Sequence, residues 1–99
     1  KKAEEWLEKA VVQGHAAGMF NLAVLYTDKE AGMVNVEEAM KLYKQSADLG
    51  YAKSMHNLAW YYQNGDGGLE KNIPEAIRLY RKAAEKGYER AEDALKDIE

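Results

Sequence analysis

The chain repeats itself at an interval of 36 or 37 residues, and this period limits its fold more than any other feature. Residues 39–50 (AMKLYKQSADLG) match residues 76–87 (AIRLYRKAAEKG) at an offset of 37, and residues 3–14 precede the first of these segments by 36. Residues 19–26 (MFNLAVLY) likewise lie 36 positions before residues 55–62 (MHNLAWYY). A two-helix unit of this length cannot bury its apolar faces alone, so the units must stack.

Each matching segment has the apolar spacing of an α-helix. The small and apolar residues of one segment recur at steps of three and four, on one face of a 3.6-residue period: Ala39, Leu42, Tyr43, Ser46 and Ala47. Glycines follow the last turn of three segments, where a left-handed residue ends a helix at small cost: Gly14, Gly50 and Gly87.

Two asparagines mark helix starts in equivalent places. Asn35 is followed three residues later by Glu38, and Asn72 by Glu75. This spacing fits an N-cap whose side chain accepts a backbone N–H while the glutamate carboxylate reaches back. Together these signals predict one all-α domain over residues 1–99, with six antiparallel helices at about 3–13, 16–28, 36–49, 52–64, 74–86 and 89–98.

The repeated segments resemble the Sel-one-like repeat family, a relative of the tetratricopeptide repeat. The resemblance is carried by residues 52–67 (AKSMHNLAWYYQNGDG), by residues 75–87 (EAIRLYRKAAEKG), and by the pairs Gly50-Tyr51 and Gly87-Tyr88. It implies a right-handed α-solenoid with two full repeats and a half-repeat at each end. It also implies a concave groove and a role as an adaptor or scaffold for other proteins.

Composition argues against several classes of function. The 14 basic and 17 acidic residues give a net charge of −3, which offers no electrostatic reason to bind nucleic acid. No apolar run reaches the roughly 18 residues that membrane insertion requires. Cysteine is absent, and His15 and His56 do not stand at metal-ligand spacing. We therefore expect no metal, no cofactor and no enzymatic activity.

In tetratricopeptide relatives the first helix of each pair lines the groove. The resemblance therefore places a set of residues along the groove: Phe20, Val24, Lys53, His56, Trp60, Gln63, Arg90, Asp93 and Asp97. Trp60 is the predicted anchor for a peptide, since an aromatic side chain buries a large area at small entropy cost. Alternatively, Phe20 and Trp60 fill the space between neighbouring repeats. Leu22 and Leu58 are predicted to be buried on the opposite side of their helices.

The two ends of the chain differ in polarity. The last predicted helix combines apolar Leu95 and Ile98 with charged residues that suit a wet outer face. The first helix carries a broad apolar surface that includes Trp6, Val11 and Val12. Exposed apolar patches commonly mark interfaces, so this helix predicts self-association, or a chain cut from a longer array.

Three functions are compatible with these patterns. A module that binds a protein or peptide partner is favoured. A structural or engineered repeat with no ligand is a second hypothesis. A hydrolase using His56 with a carboxylate is a third, and the absence of a recognisable nucleophile and base argues against it.

Overall fold

The computed structural model describes the backbone of residues 2–28, 30, 32 and 34–98, and within these residues the side chains from 14 onward. This part of the chain is all-helical and contains no strand, which confirms the predicted fold class. It forms five helices: α1 (Lys2–Thr27), α2 (Val36–Asp48), α3 (Ala52–Asn64), α4 (Ile73–Glu85) and α5 (Glu89–Ile98).

The sequence-based count of six helices is wrong because α1 runs through Gly14 without a turn. Gly50 and Gly87 adopt positive φ angles of 92° and 87° and follow the ends of α2 and α4. Gly14 has no such angle, so it lies in the interior of a helix, where glycine costs only about 1 kcal/mol relative to alanine. The predicted helices 3–13 and 16–28 are therefore one 26-residue helix, about 39 Å long.

Consecutive helices pack on one another, α1 on α2 and so on to α5, as expected for stacked repeats. The chain measures 44 × 35 × 19 Å, and its radius of gyration of 14.2 Å exceeds the roughly 13 Å of a compact domain of this size. The molecule is thus a short, flat solenoid.

Both long loops end in the same capping arrangement. The side chain of Asn35 accepts the Glu38 N–H at 3.2 Å, and its own backbone N–H donates to the Tyr26 carbonyl at 2.8 Å. Asn72 repeats the pair with Glu75 and the Tyr62 carbonyl, at 3.1 and 2.8 Å. The predicted N-caps are correct, but the backbone N–H that a reaching glutamate would satisfy is already bonded to a carbonyl of the preceding helix.

Tyrosines and alanines form the core between the helices. Tyr43 and Tyr80, at equivalent positions of α2 and α4, are the largest fully buried side chains. Seven alanines of the described residues have no exposed surface and let neighbouring helices approach closely: Ala16, Ala23, Ala39, Ala59, Ala76, Ala83 and Ala91. Leu22 departs from the prediction of burial, because 39% of it is exposed, whereas its equivalent Leu58 is 4% exposed.

The predictions for the two end helices can be compared with the structure at α5 but not at the start of α1. Leu95 and Ile98 of α5 pack on the core, whereas Glu92 and Lys96 are exposed. The predicted self-association residues, Trp6, Val11 and Val12, have side chains that lie outside the described set.

A short hydrogen-bond chain joins the first three helices. The Ser54 hydroxyl donates to the Ser46 hydroxyl at 2.6 Å, and the Ser46 hydroxyl donates to the Ala16 carbonyl at 2.8 Å. Both serines are fully buried. The equivalent residues one repeat later are Ala83 and Ala91, so the same helix junction also exists in an apolar form.

The effects of replacing the two serines are expected to be strongly non-additive. Ser46→Ala leaves the buried Ser54 hydroxyl without its acceptor and should cost about 1–3 kcal/mol, whereas Ser54→Ala removes one bond and should cost about 0.5–1.5 kcal/mol. The double variant reproduces the Ala83–Ala91 junction and should cost less than the sum by about 1 kcal/mol. Urea unfolding of the four proteins measures this coupling; additive effects would contradict it.

Candidate functional site

Phe20, the first of the predicted groove residues, lies in an aromatic cluster between α1 and its neighbours. Its ring centroid is 6.0 Å from that of Tyr43 and 5.5 Å from that of Tyr51, with interplanar angles of 62° and 53°. The side chain is half-buried against the core. Most of its surface is therefore engaged in packing the first repeat on the second.

His56 occupies the equivalent position of the next repeat and has an equivalent environment. Its ring lies 5.4 Å from Tyr80 and 5.3 Å from Tyr88, edge to face in both cases. Its Nδ1 lies 3.2 Å from Asn57 Oδ1, which accepts the ring proton. Burial lowers the pKa of His56 below its usual range, and the nearby Arg90 cation lowers it further, while the bond to Asn57 opposes both. The lowered pKa favours the neutral imidazole, which suits a ring packed between two tyrosines.

Trp60, one turn after His56, is the most exposed aromatic residue of the described part of the chain, at 45%. Its ring stands perpendicular to that of Tyr61, with centroids 5.1 Å apart. An open pocket of about 220 Å³ lies beside it, lined by His56, Asn57, Trp60 and Tyr61. Val24, the equivalent of Trp60 on α1, is also exposed.

Two polar side chains of α3 form hydrogen bonds with buried tyrosines of the core. Gln63 Oε1 accepts the Tyr80 hydroxyl at 2.8 Å, and Asn57 Nδ2 donates to the Tyr43 hydroxyl at 3.4 Å. Burial raises the pKa of Tyr80 above its usual value, so its hydroxyl keeps its proton. Gln63 is therefore oriented by the core of its own molecule.

The charged residues of the predicted groove lie on the surface. Lys53 on α3 and Arg90, Asp93 and Asp97 on α5 are exposed. The structure thus separates the predicted set into packed residues (Phe20, His56, Gln63), an exposed apolar row (Val24, Trp60) and exposed charges. Of the set, His56 and Trp60 line one common pocket.

Comparison with known proteins decides the family. The Sel1 repeat profile matches residues 1–15, 16–51 and 52–88, which together make up most of the chain. The chain belongs to the Sel1 repeat family. Sel1 repeat proteins are typically protein-interaction scaffolds and generally lack catalytic activity. No curated protein sequence matches the chain.

Two solved structures with the Sel1 repeat fold resemble this chain. The Sel1 repeat protein from Oxalobacter formigenes is 37% identical, with a TM-score of 0.75 over 84% of this chain and 34% of that one. The protein c5321, a protective antigen of uropathogenic Escherichia coli with an SLR fold, is 32% identical, with a TM-score of 0.78 over 87% of this chain and 18% of that one. The chain therefore spans about a third or less of the length of these Sel1 repeat relatives.

A second, larger depression was missed by the sequence analysis. It has a volume of about 440 Å³ and lies between α2, α3 and α4. Its rim is charged, with Lys44 and Asp48 on α2 and the Glu75–Arg78 pair and Lys82 on α4. These charged residues belong to two different helices and occupy no equivalent repeat positions, so no Sel1 repeat pattern groups them in sequence.

The described residues of this Sel1 repeat chain hold neither a helix long and apolar enough to cross a bilayer nor a cluster of three metal-ligating side chains.

Proposed function

We propose that this chain binds a protein or peptide partner on the face formed by α1, α3 and α5, with Trp60 as the anchor. The exposure of Trp60 is the observation that carries the proposal. A tryptophan that served only to pack repeats would be enclosed as its neighbours are, yet nearly half of its surface is open to solvent beside a pocket of about 220 Å³.

The chemistry of this face suits a peptide with one apolar side chain and flanking charges. The pocket walls are aromatic and amide groups, which accept an apolar or aromatic side chain and can hydrogen-bond a backbone. Lys53 and Arg90 offer cations for a carboxylate, and Asp93 and Asp97 offer anions for a basic residue. Because none of these groups forms a catalytic constellation, we infer that binding, and not catalysis, is the activity.

Replacement of Trp60 by alanine tests the proposal. Peptides selected from a random library on the wild-type chain should bind the Trp60→Ala variant at least about tenfold more weakly, which corresponds to about 1.4 kcal/mol. Trp60→Phe should retain most of the affinity because it keeps an aromatic ring in the pocket. Affinity is measured by fluorescence anisotropy, and thermal melting is recorded for each variant.

A matched control removes exposed apolar surface elsewhere. Val34 is exposed in the α1–α2 loop, and Val34→Ala should leave both affinity and melting temperature unchanged. If Trp60→Ala instead lowers the melting temperature and leaves affinity intact, Trp60 is a packing residue. If no peptide is selected, the hypothesis of a repeat without a ligand is favoured. We also propose that the chain self-associates through its first helix.

A further inference from the structure

One face of α1 is exposed although the equivalent face of α3 is buried. Leu22 is 39% exposed, whereas its equivalent Leu58 is 4% exposed. Gly18 is exposed, whereas its equivalent Ser54 has no accessible surface. Leu25, on the same side of α1, is exposed as well, whereas its equivalent Tyr61 is half-buried. We call the surface formed by Gly18, Leu22 and Leu25 the open face.

The repeat shows which kind of segment covers such a face. On α3 the equivalent face is covered by the preceding helix α2, whose Ser46 hydroxyl contacts the Ser54 hydroxyl at 2.6 Å. The segment that corresponds to α2 one repeat earlier is residues 3–14, with Ala10 at the position of Ser46. The chain therefore contains, in residues 3–14, the segment whose equivalent covers this face on α3.

That cover cannot reach the open face of its own chain while α1 is straight. Ala10 and Gly18 are eight residues apart in one continuous helix, about 12 Å along its axis. The family profile also places a repeat boundary between residues 15 and 16, inside α1. At the next boundary, between residues 51 and 52, the helices α2 and α3 pack side by side. At the first boundary α1 continues as one helix, and its first half extends away from the open face.

We infer that residues 3–13 of one copy lie on the open face of a second copy, and the reverse, so that two chains exchange their first helical segments. The exchange reproduces between chains the α2–α3 junction that exists within each chain. It closes a two-fold dimer in which both open faces are covered. This inference rests on the proposed self-association and adds the surface that receives the helix.

Engineered disulfides test the exchange, since the chain has no cysteine of its own. In the exchanged dimer, position 10 of one copy meets position 18 of the other, as Ser46 meets Ser54. A cysteine at 18 is tolerated, because a Cβ there has no neighbour within 4 Å. Oxidation of an equal mixture of the Ala10→Cys and Gly18→Cys variants should give mainly the mixed disulfide dimer, identified by intact mass. The Ser46→Cys/Ser54→Cys double variant is the control and should close within one chain.

Two further measurements separate the alternatives. If the Ala10→Cys/Gly18→Cys double variant closes within a single chain, the helix bends at Gly14 and no exchange occurs. Light scattering should show twice the 11.2 kDa mass for the wild type and a monomer for Leu22→Lys. A dimer without the mixed disulfide would leave self-association standing and overturn the exchange. A monomer at every concentration would overturn both.

Discussion

Replacing Tyr80 with alanine should lower the free energy of unfolding by about 3–5 kcal/mol, the range measured when large aromatic side chains are removed from cores. Tyr80 is 1% exposed, contacts the His56 ring and donates to Gln63. A domain of this size is stable by only about 5–15 kcal/mol, so the substitution should remove a fifth or more of the stability. Urea unfolding followed by circular dichroism measures the loss.

Tyr80→Phe separates the hydroxyl from the ring. It keeps the packing and removes one hydrogen bond, so it should cost only about 0.5–1.5 kcal/mol. Gln63 would be released from the core, and its amide would be free to rotate. A loss for Tyr80→Phe as large as that for Tyr80→Ala would show that the hydroxyl, and not the ring, dominates.

The fold was predictable because the same pattern of core and capping residues occurs twice in the sequence. Tyr43 and Tyr80 are buried, and Asn35 and Asn72 cap their helices, each pair at an offset of 37. The recurrence of both residue types at the same offset indicates stacked repeats, since each repeat must present the same surface to its neighbour.

The continuity of α1 could not be read from the sequence. Gly14 occupies the same place in the repeat as Gly50, and both residues favour a turn by type. The difference lies in φ, which glycine leaves free, so the residue permits a turn without requiring one. The exposure of Leu22 follows from the same cause, because the segment that would cover it continues along the helix axis.

The sequence predicted which residues hold equivalent positions in the repeats, but not which of these positions are buried. Phe20 and His56 hold equivalent positions, as do Val24 and Trp60, and the structure keeps both equivalences. Which row is enclosed depends on Tyr51 and Tyr88, residues of the turns between helices. Their rings close over the first row and leave the second row open. Helical periodicity contains no information about side chains that come from a turn.

Gly67→Ala should destabilise the chain by about 2–5 kcal/mol, although the residue lies in a loop. Its φ of 67° costs a residue with a Cβ about 1–2 kcal/mol. The added Cβ would also lie 2.9 Å from Met40 Sδ and 3.0 Å from Tyr61 Cδ1. Met40 is buried, so the methyl group overpacks the core at a further cost of about 1–3 kcal/mol.

The neighbouring Gly68 is a matched control because its φ is similar, at 78°, while a Cβ there would meet nothing within 4 Å. Gly68→Ala should therefore cost only the backbone part, about 1–2 kcal/mol. Thermal or urea unfolding of both variants isolates the steric contribution as their difference, and equal losses would show that the core yields freely. Because Tyr61 also lines the pocket beside Trp60, a displaced ring should weaken peptide binding in Gly67→Ala and leave it unchanged in Gly68→Ala.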